Sequence, residues 1–298
     1  MRVQVNGTRL FFDTDGSGFS IVDGSLVPKQ PLIALHGGPG FDHGYLRPGL
    51  GPLREHAQLI YLDLRGQGRS DPSPLDLCTL QQMADDVAEV CAVLEIERPI
   101  VFGHSFGGFV ALDLAVRYPA LLGGLILCNA SATFPHVVAN GEPVPRLELR
   151  AESAVVEIAQ RVFNGDISAE TVAAFMQSVI PFYASPSHMD VPAKILKLSS
   201  LIPTFVLHFV QTIAPGYDLR NRLGRIAAPT LLIAGKHDWI CPAVASYRMK
   251  ESIVGAKILE LSEAGHFAFS EEPERFLNAV IAFLSGLQPP EPLPCQAP

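Results

Sequence analysis

Charge is scarce in this chain of 298 residues: 17% are Asp, Glu, Lys or Arg, and they sum to −8. A mildly acidic protein has no electrostatic reason to bind nucleic acid or an anionic membrane surface. Cysteine is sparse and odd in number: Cys78, Cys91, Cys128, Cys241 and Cys295. Their spacing fits neither a metal site nor a disulfide framework, so no metal and no cofactor is expected. Three of them sit in apolar runs as small core residues, and a reducing cytoplasm is the expected location. Long apolar runs are missing too. The stretch from Ile202 to Ile213 is broken by Pro203, His208 and Gln211, well short of the roughly 18 residues that cross a bilayer. The opening MRVQVNGTRLFFD has no apolar h-region, so no signal peptide is expected. What is plentiful is apolar side chain, 48% of the residues. That is ample for a sizeable core in one large domain or two small ones.

The apolar residues fall into short runs. Val3 and Val5, then Leu10 and Phe12, alternate about Asn6-Gly7, a hairpin signal. A loop rich in Gly and Ser is expected from Asp13 to Gly24. Fully apolar strands then end at His36, Asp63, His104 and Asn129, and two more follow at Pro229-TLLIAG and Lys257-ILEL. Runs without alternation are what strands covered on both faces look like. Helical spacing fills the gaps: Leu80, Met83, Val87, Val90 and Leu94 after a Thr79–Gln82 capping box, then Phe106 to Arg117, then Pro273 to Leu284. This alternation predicts an α/β fold, a mostly parallel sheet flanked by helices. Residues 131–222 break it, with helical periodicity and no convincing strand. The clearest helices there are Ala151 to Phe163 and Ser168 to Ile180. The expected organisation is a core of 1–130 and 223–287, a helical cap of 131–222, and a Pro-rich tail of 288–298.

Gly103-His104-Ser105-Phe106-Gly107 lies between a strand and a helix. In that context G-x-S-x-G is a nucleophile elbow, a sharp turn that lifts the Ser105 hydroxyl clear of the sheet. A dinucleotide fingerprint or a Walker A loop needs other letters, and neither is present. An acyl-transfer nucleophile needs backbone N–H groups for its oxyanion. Phe106 supplies one. The other is assigned to Gly38 in His36-Gly37-Gly38-Pro39-Gly40, with Gly37, Pro39 and His104 as candidate substrate contacts. Of nine histidines, only His266 follows the last strand in a glycine-flanked loop, which makes it the general base. His36 and His104 are expected to make structural hydrogen bonds. His43, His56, His136, His188 and His208 are expected at the surface or in the cap. For the acid, Asn129-Ala-Ser-Ala-Thr offers no carboxylate after its strand, whereas Lys236-His237-Asp238 does, so Asp238 orients the base. Asp63-Leu-Arg65-Gly66-Gln-Gly68-Arg69-Ser70 is read as a structural brace.

On HGGPG at 36–40, DLRGQGRS at 63–70, GHSFGG at 103–108, GKHD at 235–238 and GH at 265–266, the chain resembles the α/β-hydrolase superfamily along nearly its whole length. Within it, the chain is similar to the proline iminopeptidase group, peptidase family S33. That resemblance implies an α/β-hydrolase fold and release of an N-terminal residue, often proline, from short peptides, with cap glutamates holding the free amine. The cap carboxylates are Glu142, Glu148, Glu152, Glu157, Asp166, Glu170, Asp190 and Asp218, of which Glu148 and Glu152 are spaced to share a helix face. GHSFGG is equally at home in esterases, lactonases and C–C bond hydrolases. Phe134, Phe175, Phe182, Tyr183, Phe205 and Phe209 suit an apolar acyl pocket. Three readings stay open: an aminopeptidase, an esterase or lactonase, and a binding protein that keeps the pocket without turnover. The expected partner is a small molecule or short peptide.

Overall fold

A computed structural model describes residues 1–22, 24–134 and 144–287. His136, Glu142, Cys295 and the Pro-rich stretch 288–298 lie outside the described residues.

The hairpin at Asn6-Gly7 forms as expected, because both turn residues take positive φ (40° and 78°), as a type I′ turn requires. It joins β1 (Arg2–Val5) to β2 (Thr8–Asp15). The segment expected as a loop up to Gly24 contains a strand instead. β3 (Phe19–Val22) pairs antiparallel with β4 (Ser25–Pro28), Ile21 opposite Leu26, in a small separate sheet. Phe19, Ile21, Leu26 and Val27 are exposed, so no burial pattern announced them.

The remaining strands are β5 (Pro31–Leu35), β6 (Gln58–Leu62), β7 (Ile100–His104), β8 (Gly124–Cys128), β9 (Thr230–Gly235) and β10 (Lys257–Leu261). They form an eight-stranded sheet in the order β1-β2-β6-β5-β7-β8-β9-β10. β1 and β2 run antiparallel and every pair from β6 onward is parallel. The strand order reverses at β5, which has β6 on one side and β7 on the other. In such sheets the crevice at the carboxyl ends beside the reversal is where ligands bind.

Alternate residues of each strand feed two cores. Ile33, Leu35 and Val101 pack with the helices Leu80–Val93 and Phe106–Arg117. Leu32, Ala34 and Phe102 pack on the other face with Phe276, Val280 and Phe283 of the helix Pro273–Ser285. The helix Leu80–Val93 is capped by half a capping box. Thr79 Oγ1 accepts from the Gln82 N–H (3.1 Å), but Gln82 Nε2 turns to Asp86 Oδ1 (3.1 Å). Asp86 holds it because it is buried and paired with Arg65, whose Nε and Nη2 each lie 2.7 Å from its oxygens.

Between β8 and β9 the described residues form helices and turns and no strand. They include Ser153–Phe163, Ala169–Ala174, Val191–Leu196 and Pro203–His208. The helix expected to run to Ile180 loosens into a π-type turn at Phe175–Val179 and a tight turn at Ile180–Tyr183. Pro181 lacks the N–H that a continuous helix needs. Glu148 and Glu152 do not share a helix face: the turn Leu147–Leu149 ends before the helix at Ser153 begins. No helix among the described residues is long and apolar enough to cross a membrane.

Candidate active site

The loops that follow β5 to β10 meet at the carboxyl ends of the strands. β7 ends at His104, and Ser105 follows with φ 52° and ψ −119°. Positive φ is a strained conformation for a residue with a Cβ, and it is the geometry of a nucleophile elbow. The turn is possible because Gly103 and Gly107 have none. A Cβ on Gly103 would fall 2.6 Å from the Gly107 carbonyl, and one on Gly107 2.3 Å from that of Leu35. The helix Phe106–Arg117 starts at once, so its positive end lies beside the Ser105 hydroxyl.

His266 and Asp238 are paired. The buried His266 donates from Nδ1 to Asp238 Oδ2 at 2.8 Å. This leaves Nε2 as the ring nitrogen that can accept. Asp238 is fully buried and its charge is answered by four donors. Oδ1 accepts from the Ile240 N–H (2.9 Å) and the Cys241 N–H (3.0 Å), and Oδ2 from His266 and from Asn129 Nδ2 (2.9 Å). Asn129, considered in the sequence only as the absence of a carboxylate, therefore braces Asp238. It also donates to the Gly265 carbonyl (3.0 Å). Ser105 and His266 line the same cavity. Among the described residues Ser105 Oγ makes no hydrogen bond.

The HGGPG loop after β5 lies against this pair. Gly38 takes φ +58° and lines the cavity together with Pro39 and Phe106. No acceptor is bonded to the Gly38 or Phe106 amide among the described residues. Gly37 does not face the cavity as a substrate contact. Its N–H is spent on Tyr45 Oη (2.5 Å), and a Cβ there would sit 2.7 Å from His104 Nδ1 and 2.8 Å from Ser105 Cβ. Gly37 is the floor under Ser105. The Gly40 N–H donates to Gln67 Oε1 (2.6 Å), which ties this loop to the DLRGQGRS loop.

His104 touches the cavity, but neither ring nitrogen is available to a substrate. Nε2 faces the His266 carbonyl (2.8 Å), which can only accept, so Nε2 carries the proton. Nδ1 then accepts from the Tyr45 O–H (2.7 Å). Burial and the neighbouring His266 push the His104 imidazole well below its usual range and keep it neutral. His36 is likewise structural, its Nε2 accepting from the Leu64 N–H (3.1 Å). His43, expected at the surface or in the cap, is buried and donates to Asp63 Oδ1 (2.6 Å). The brace reading of the 63–70 loop fits this pair and Arg65–Asp86.

Two further residues had no sequence signal: Tyr45, which arrives from the turn His43–Leu46, and Glu271, one glutamate among many. The buried Glu271 accepts the N–H groups of Gly265 (2.8 Å), Phe267 (2.9 Å) and Ser185 (2.7 Å), so it grips the His266 loop on both sides. Burial raises its carboxyl against those three amides, which lower it.

The cavity over Ser105 measures about 130 Å³. Phe134, Phe175, Tyr183 and Phe209 belong to its wall. Phe182 and Phe205 do not; the Phe182 carbonyl receives Trp239 Nε1 (3.0 Å), and Phe205 packs on Gly40 and Gly66. No carboxylate, lysine or arginine lines the cavity among the described residues. Glu148, Glu152, Glu157, Glu170, Asp190 and Asp218 are exposed, and Asp166 is bound to Arg161 and Thr171. No group of three or more His, Cys, Asp or Glu among the described residues is arranged to hold a metal.

Residues 30–273 match a family model described as the alpha/beta hydrolase fold. A putative carbamate hydrolase, RutD, from Rhizobium rhizogenes is 32% identical, with 88% of this chain and 96% of the relative covered. A proline iminopeptidase from Saccharolobus solfataricus is 26% identical over 86% of this chain and 85% of the relative. Among solved structures, a thermophilic esterase from Thermogutta terrifontis superposes with a TM-score of 0.73 at 27% identity, covering 96% of this chain and 98% of its own.

Proposed function

The chain belongs to the alpha/beta hydrolase fold family, and we propose that it is a serine hydrolase of neutral carboxylic esters, lactones included, that carry an apolar acyl group. One observation carries the substrate class: the cavity that holds Ser105 and His266 is walled by apolar and aromatic side chains, with no charged group among the described residues. An apolar acyl chain is favoured there by burial. A free α-amine is not, because a cation brought into such a cavity needs an anion to offset its desolvation. The iminopeptidase reading requires that anion from the cap. Glu142 lies outside the described residues, and the other seven cap carboxylates lie off the cavity wall.

The chemistry is two-step acyl transfer. Ser105 Oγ attacks the carbonyl carbon while His266 Nε2 takes its proton. Asp238 keeps the proton on Nδ1 and stabilises the imidazolium. The Gly38 and Phe106 amides receive the developing oxyanion, a contribution worth about 10²- to 10³-fold in rate per donor. His266 returns the proton to the leaving oxygen, and water then repeats the sequence on the acyl-enzyme. The bond between Ser105 and His266 forms as substrate enters; such bonds are often long in the empty enzyme. Residues 131–222 act as the cap over a core of 1–130 and 223–287.

The test is a substrate panel: p-nitrophenyl butyrate and hexanoate, a five-membered lactone, and prolyl and alanyl p-nitroanilides. Turnover of the esters with inert anilides is expected. Turnover of the anilides with inert esters would restore the aminopeptidase reading.

A further inference from the structure

The polar side chains that line the cavity are few, and most of their polar atoms are already committed. Tyr45 and His104 are bonded to each other, and His266 Nδ1 is held by Asp238. Between β8 and β9, the lining residues are Phe, Val, Ile, Leu and Met except for Tyr183. Its hydroxyl has no hydrogen-bond partner among the described residues. The phenol is pushed above its ordinary range by burial, with Asp238 adding to it, so it remains an O–H donor.

Tyr183 is also held firmly against the base. Its carbonyl accepts the His266 N–H (2.7 Å). Its ring stands edge-on to the His266 ring, with centroids 5.5 Å apart at 83°, and to Trp239 at 5.2 Å and 75°. The flanking backbone is pinned by Trp239 Nε1 on the Phe182 carbonyl and by the Ser185 N–H on Glu271. A donor this constrained loses little conformational entropy when it binds.

We infer that Tyr183 is a specificity-determining residue, and that the preferred ester carries a second acceptor oxygen in its leaving group. The assignment to the leaving group follows from the neighbour: His266 delivers its proton to the leaving oxygen, and Tyr183 packs on that ring. A substrate without the acceptor strips water from the phenol and returns nothing, so it is discriminated against. This inference rests on the reading of Ser105 and His266 as nucleophile and base.

Two esters of matched shape test it: butyl butyrate and 2-methoxyethyl butyrate, which differ by one CH₂ replaced with oxygen. The wild type should prefer the methoxyethyl ester in kcat/KM by about tenfold, the worth of one hydrogen bond in a desolvated site. Tyr183→Phe should bring that ratio to about one, whatever loss is common to both esters. A wild-type ratio of one overturns the inference without any variant. A preference that survives in Tyr183→Phe overturns it as well. Labelling of both proteins by a fluorophosphonate shows that the site is assembled. If the wild type resists that reagent and cleaves neither ester, the failure lies in the serine-hydrolase reading beneath.

Discussion

Asn129 Nδ2 and His266 Nδ1 converge on one oxygen, Oδ2 of Asp238, at 2.9 and 2.8 Å. The amide stands at the end of β8 with φ 50°, a left-handed conformation that Asn tolerates better than most residues. It fills the place where a carboxylate would repel Asp238, and it supplies a donor instead.

Asn129→Ala should therefore destabilise the fold by about 1–3 kcal/mol, the cost of an unmet buried acceptor. It should also lower kcat more than it raises KM, because the imidazole loses its fixed orientation. Urea unfolding and ester kinetics read the two effects. A variant as stable and as fast as the wild type would remove Asn129 from the account.

Tyr45→Phe breaks two bonds at once, leaving the Gly37 N–H without an acceptor and His104 Nδ1 without a donor. Each orphaned group is expected to cost about 1–3 kcal/mol. On the proposed mechanism these bonds tie the Gly37–Gly38 loop to the Ser105 elbow and the His266 backbone, so kcat should fall while KM changes little. The reverse pattern would mean that Tyr45 acts on substrate binding alone.

Gly37→Ala places a methyl 2.7 Å from His104 Nδ1 and 2.8 Å from Ser105 Cβ. The His104 carbonyl oxygen, also 2.7 Å away, and Ser105 Cβ are fixed by the backbone, so the added atom must displace the elbow. Overpacking of this kind costs typically about 1–3 kcal/mol, and activity should drop at least about 10²-fold, as for a misplaced reacting group. Near-normal activity would show that the loop has slack.

Stability should depend on Asp63 in acid. Burial works to raise its carboxyl, but the His43 bond, the neighbouring imidazoles and the Arg69 amide hold it down at about 2. A carboxyl depressed on folding stabilises above its unfolded pKa and loses that contribution as pH falls through the folded one. The margin is about 2 kcal/mol at neutral pH. The stability difference between wild type and Asp63→Asn should thus shrink steadily between about pH 5 and pH 2. A difference that stays level across that window would contradict the assignment.

The sharp turn at Ser105 and the parallel sheet were legible because backbone constraints leave letters behind. A strained elbow needs glycine on both sides, and strands covered on both faces need unbroken apolar runs. Asp238 emerged by comparing two loops. Tyr45, Glu271 and the burial of His43 were not legible, since each depends on a partner brought by another segment: His104, Ser185 and Asp63. The hairpin β3–β4 was missed because Phe19, Ile21, Leu26 and Val27 are exposed and belong to no buried face. Gly37 and His104 carried the right motif but a different duty, as their polar atoms are consumed inside the protein.

The most direct test of the account is covalent. A fluorophosphonate should add one phosphonyl group to the wild type, seen in the intact mass and mapped to the peptide holding Ser105, and should leave Ser105→Ala unlabelled. Equal labelling of the two proteins, or a label carried on another residue, would contradict the central claim that Ser105 is the nucleophile.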